Sequence, residues 1–197
     1  MNGQIVVKTK FIKKYMRIAR EVGEYENPCY SRKIGVVIVD PVGNKILGTG
    51  YNGPPPGTPH CDDKDFLVNY FLPQLTPLEK INLIAEYHSL EDFVEVVKDC
   101  RTCPRRYVNA ASGQRNELCS CGHAERHAIT NTSCSLYSSV MFCWCGVPCL
   151  QCTDAIIQAG VKRVYCLKDK DYHSTSRWLF LKARIPILEH EKSFFDE

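Results

Sequence analysis

Two helix starts, separated by a single strand and each carrying metal-binding side chains, constrain this chain more than any other feature. The first is His123-Ala124-Glu125, at the head of a helical stretch read over Gly122 to Asn131. A strand is expected at Ser139 to Phe142. The second start is Pro148-Cys149-Leu150-Gln151-Cys152. It opens a helix that runs to Ala159, with Pro148 read at its first position and Gly160 ending it.

Cys149 and Cys152 lie three residues apart and so share a helix face. His123 and Glu125 can reach into one cavity from the N-terminal end of their helix. One histidine and two thiolates make a three-ligand zinc set whose fourth position stays open to water, which marks a catalytic centre over a structural one. Helix N-termini also favour thiolate over thiol. Glu125 then reads as the catalytic proton carrier beside the metal. A lone His-Ala-Glu occurs by chance, and a lone Cys-x-x-Cys is as readily a redox pair or half a structural zinc site. It is the combination, in this order, that is specific.

The flanking sequence supplies a frame. Phe11 to Val22 carries a 3.6-residue apolar stripe, read as a helix. Ile34 to Val39 is a short β-branched run, read as a buried strand. Asp40 to Asn44 has turn composition, and Lys45 to Gly50 reads as the returning strand of a hairpin. Three consecutive prolines make Tyr51 to Asp63 a rigid loop. Helices are expected at Leu78–Tyr87, Leu90–Val97 and Ser176–Ala183. Further strands are expected at Val161–Leu167 and Ile185–Leu188, the last at a sheet edge because of Pro186. Two early strands followed by alternating helix and strand predict an α/β fold, a three-layer α-β-α sandwich around a mixed sheet. Residues 1–197 are read as one domain. An insertion at about 62–118 is taken as too short for a core of its own.

The charge balance narrows the partners. Lys and Arg number 25 against 22 Asp and Glu, a formal +3, which makes no electrostatic case for a nucleic-acid or membrane surface. No stretch approaches the ~20 apolar residues that span a bilayer. No secretion pattern is seen, so a cytoplasmic setting is expected. In that setting the 12 cysteines favour metal ligation and burial over a disulfide framework. Burial accounts for Cys134, Cys143 and Cys166, which sit among apolar or strand-like residues. Cys100-x-x-Cys103 lies in the insertion, and with Cys29 and Cys61 it is a candidate for a second, structural zinc.

The pattern H-x-E…P-C-x-x-C is the signature of zinc-dependent deaminases. The chain resembles the deoxycytidylate deaminase family, within the cytidine deaminase superfamily. The resemblance is carried by Arg32 to Ile38, Gly50 to Gly57, His123-Ala124-Glu125, Pro148 to Cys152 and Ile157 to Val164. It covers most of the chain outside the insertion. It implies a five-stranded sheet flanked by helices, zinc on His123, Cys149 and Cys152, and Glu125 as proton shuttle. It also implies hydrolysis of dCMP to dUMP and ammonia, activation by dCTP and inhibition by dTTP, and a homo-oligomer, expected as a hexamer. Effector contacts are expected around Tyr51, Asn52 and Gly53, with Mg2+ accompanying a nucleotide effector.

Substrate contacts are expected from Asn52, Tyr172, Arg115 and His127. Asn52 offers a donor and an acceptor to a sugar hydroxyl, though it reads equally as a turn residue before Gly53. Tyr172 follows the Val161–Leu167 strand at the end where ligands of such sheets bind. Arg115 suits a phosphate, in competition with Arg101, Arg105, Arg106 and Arg126. Similar chains usually carry Asn at the place of His127 and a Thr-containing strand end at the place of Cys143 to Val147. Those departures leave open a 5-substituted dCMP, CMP or dCTP as the substrate. From a different class, a non-catalytic zinc-containing binding module is the rival, against which Glu125 stands.

Overall fold

The computed structural model describes residues 7–25, 27–111, 114–169 and 174–196. In chain order the elements are α1 (Thr9–Tyr25), β1 (Gly35–Asp40), β2 (Lys45–Tyr51), α2 (Lys64–Phe66), α3 (Pro77–Tyr87), α4 (Leu90–Val97), α5 (Ala124–Thr130), β3 (Val140–Cys143), α6 (Leu150–Gln158), β4 (Arg163–Leu167), α7 (Ser174–Lys182) and β5 (Ile187–His190). The five strands form one mixed sheet in the order β2-β1-β3-β4-β5. β1 runs antiparallel to β2 and to β3, while β3, β4 and β5 are parallel. The edge position expected for the last strand is observed. No helix among the described residues is long and apolar enough to cross a membrane.

The chain divides into two compact units. The first comprises residues 1–27, 33–52 and 123–197, and the second 28–32 and 53–122.

The first unit is the three-layer body. Because strand side chains alternate between faces, Val36, Ile38, Met141, Cys143, Val164 and Cys166 fall on one face of the sheet. There they pack with Ala124, Ala128, Ile156 and Phe180 from α5, α6 and α7. Val37, Val39, Val140, Phe142 and Tyr165 fall on the other, against Ile12, Tyr15, Met16 and Ala19 of α1. Two glycines permit the close packing. A Cβ on Gly35 would overlap the Ala19 carbonyl oxygen and the Gly23 nitrogen of α1, and one on Gly50 would overlap Ala124 O and Ala128 N of α5. The β1–β2 turn is closed by Asp40, whose carboxylate accepts from the amides of Val42 and Gly43 at 2.9 and 3.0 Å.

The second unit has a core of its own, which corrects the expectation that the insertion is too short for one. Phe71, Phe93, Leu67, Leu83 and Leu118 are essentially fully buried in it. Its apolar residues are shared among several short helical pieces, so no single periodic run announces the core. Sharp caps delimit those pieces. Thr76 and Glu79 form a reciprocal capping box at the start of α3, and Ser89 accepts from Asp92 N at 2.9 Å at the start of α4.

Candidate metal centre

His123 caps α5 and Cys149 caps α6, both in extended backbone conformation. Pro148 therefore lies one residue before the cap, not at the first helical position. The two helix starts bring three ligand atoms together. Nδ1 of His123 stands 3.3 Å from Sγ of Cys149 and 3.4 Å from Sγ of Cys152. Among the described residues, these three form the one group of His, Cys, Asp or Glu whose ligand atoms all lie within 4.8 Å of one another.

The donor chemistry fits zinc. A hydrogen bond from the Cys152 thiol, then one from His123, pulls Cys149 down to about 3 despite burial. The same thiol–thiol contact, with burial, pushes Cys152 up. Two adjacent sulfurs that favour one thiolate and one thiol release the remaining proton when a divalent cation binds both. One imidazole and two thiolates in tetrahedral reach match zinc's preference and leave one position for a reactant.

Glu125 lies on the first turn of α5 and is 4% exposed. Burial raises its pKa, and its carboxyl lies within hydrogen-bonding reach of Cys152. A carboxyl raised in this way can both take and return a proton.

The other expected contacts divide. Asn52 is buried, and its Oδ1 accepts from Ile34 N at 2.9 Å and from Asn27 Nδ2. Its amide orientation is thereby set by the start of β1. His127 places Nδ1 2.8 Å from the carbonyl oxygen of Tyr51. Gly53 exchanges backbone hydrogen bonds with Gly122 at 3.3 and 2.7 Å. Arg115 is bound by the carboxylates of Glu79 and Glu117 and donates to Gln74 O at 3.2 Å. A guanidinium engaged by two carboxylates is not offered to a phosphate, and that expectation is corrected. Tyr172 lies outside the described residues.

The second cysteine set also changes. Cys100 is exposed, and its thiol donates to Val96 O at 3.1 Å, so it does not join Cys29, Cys61 and Cys103. Hydrogen bonding with Cys119, Cys29 and Cys61 pushes the Cys121 thiol up, but no three of these sulfurs lie within 4.8 Å of one another. Hydrogen bonding from Cys121 draws Cys119 down to about 6. Cys103 is buried close by and pushed up to about 11, chiefly by burial. Of the cysteines assigned to burial alone, Cys143 and Cys166 are buried, but Cys134 is exposed. Asn27 was missed altogether. Standing before Pro28, it reads as an ordinary loop residue, yet it is buried and donates to Ile34 O at 3.2 Å.

Comparison with known proteins extends this picture. The family profile described as the cytidine and deoxycytidylate deaminase zinc-binding region matches residues 9–168. Deoxycytidylate deaminase of Schizosaccharomyces pombe is 25% identical over 165 residues, covering 82% of this chain and 39% of that protein. This chain thus matches well under half the length of its yeast relative. Deoxycytidylate deaminase of Enterobacteria phage T4 is 30% identical over 149 residues, covering 72% of this chain and 70% of the phage protein. The crystal structure of dCMP deaminase from the cyanophage S-TIM5 superposes with a TM-score of 0.56 at 20% identity, over 93% of this chain and all of that one. At that identity the likeness concerns the fold.

Proposed function

This chain belongs to the cytidine and deoxycytidylate deaminase zinc-binding family, and we propose on that premise that it hydrolyses dCMP to dUMP and ammonia. The observation that carries the reading is the buried Glu125 beside the His123–Cys149–Cys152 ligand set. A structural zinc site has no use for a buried carboxyl with a raised pKa, which weighs against a non-catalytic binding module.

When bound, zinc supplies Lewis-acid activation of water at neutral pH. The chain's own residues do the rest. Glu125 takes a proton from the attacking water and delivers it to the ring nitrogen of the base. It then carries a second proton to the departing amine, so that a carbon–oxygen bond replaces the carbon–nitrogen bond and ammonia leaves. Asn52 faces the sugar, and Tyr172 completes the nucleotide contacts. The related dCMP deaminases support dCMP over the free nucleoside.

Regulation by dCTP and dTTP, with Mg2+ accompanying the effector near Tyr51, Asn52 and Gly53, belongs to the same reading. So does a hexameric assembly, to which the exposed Leu78 and Ile81 of α3 lend an apolar surface.

Ammonia release from dCMP, CMP, dCTP, cytidine, 5-methyl-dCMP and 5-hydroxymethyl-dCMP tests the substrate. Turnover of dCMP should far exceed that of cytidine. Equal or faster turnover of cytidine overturns the assignment.

A further inference from the structure

α5 carries more than the metal ligand. His123, His127 and Asn131 follow one another at four-residue spacing, which places them along one helix face. His123 is the ligand. His127 Nδ1 lies 2.8 Å from Tyr51 O, and Asn131 Nδ2 donates to Thr49 O at 3.2 Å. Both acceptors belong to β2, an edge strand of the sheet, and carbonyls two residues apart in a strand point the same way. The helix face is thus stitched to alternate carbonyls of the edge strand. The approach is close because Gly50 has no Cβ to meet the α5 backbone.

The carbonyl of Tyr51 can only accept, so the proton of the contact sits on Nδ1 of His127. The peptide it holds leads directly into Asn52. Asn52 is in turn fixed from the other side, through Ile34 and Asn27. Two residues before His127 on the same helix stands Glu125.

We propose that His127 is a positioning residue for the nucleotide: its imidazole sets the distance between Asn52, at the end of β2, and Glu125, on the zinc-binding helix. This rests on the reading of Asn52 and Glu125 given above. The requirement is for a donor at the Nδ1 position. Asparagine places an amide nitrogen there, glutamine places it one bond further out, and leucine has no donor.

The test compares the unmutated chain with His127→Asn, His127→Gln and His127→Leu. The readouts are steady-state kinetics on dCMP, calorimetric binding of dUMP, zinc content and thermal midpoint. His127→Leu should raise KM for dCMP and weaken dUMP binding by roughly tenfold, the worth of one lost hydrogen bond, while kcat falls much less and zinc content holds. His127→Asn should return both values to within about threefold of the unmutated chain, and His127→Gln should not.

If Leu, Gln and Asn variants behave alike, or if kcat falls with KM unchanged, the proposal is overturned. Should the leucine variant fail to fold, the contrast between Asn and Gln decides the matter alone. An unmutated chain that turns over no cytosine nucleotide and binds no dUMP removes the functional reading and this proposal together. An active unmutated chain with indistinguishable variants removes the role of His127 only.

Discussion

Nδ1 of His123 and Sγ of Cys149 stand 3.3 Å apart although 26 residues separate them. Strand β3 accounts for the convergence. It carries the chain from α5 back through the sheet and delivers α6 start-first to the same place. The separation suits two ligands of one tetrahedral ion. Replacing Cys149 or Cys152 with Ser should therefore abolish both zinc retention after dialysis and ammonia release. Metal analysis and activity on the same preparation check this, and a serine variant that keeps its zinc and its activity would remove that cysteine from the ligand set.

The contact between β2 and α5 has little tolerance. A methyl at position 50 would overlap Ala124 O and Ala128 N, both backbone atoms that cannot swing aside. Gly50→Ala should cost about 1–3 kcal/mol by overpacking, read in urea unfolding of the zinc-loaded chain. An unchanged unfolding midpoint would mean that the helix and strand are not in register as described.

Glu79 contributes to acid sensitivity in the second unit. Burial acts to raise the pKa of Glu79, but hydrogen bonds from Thr76 and the neighbouring Arg115 outweigh it and hold the carboxyl below the ordinary 4.5. A depressed carboxyl contributes stability that is full above its unfolded value and lost as pH falls through the folded one. The unmutated chain should therefore lose stability more steeply below pH 4.5 than Glu79→Gln does. Parallel acid titrations followed by circular dichroism would show it. Coincident acid limbs would rule Glu79 out as a source.

Local pattern and tertiary contact contributed differently to what could be read from the chain. The β-branched run Ile34–Val39 and the spacing of Cys149 and Cys152 act over a few residues, so the sheet and the metal ligands were legible. The partners of the thiols in the second unit were not legible, because Cys100-x-x-Cys103 is the stronger local pattern while hydrogen bonding links Cys121 with Cys119, Cys29 and Cys61 only through the fold. Arg115 failed for a similar reason. Its αL conformation, with φ of 50°, turns it toward Glu79 from 36 residues away, which no spacing rule reports. Asn27 had no signal at all, since a buried amide before a proline looks like any loop residue.

In the proposed reaction Glu125 moves the protons of a zinc-dependent deamination. The most direct measurement is ammonia release from dCMP by Glu125→Gln, with zinc content determined on the same sample. Glutamine keeps the shape and removes the transferable proton, so zinc should stay at the level of the unmutated chain while the rate falls by about 10²–10⁴. A glutamine variant that retains zinc and deaminates dCMP at a rate near that of the unmutated chain would contradict the account.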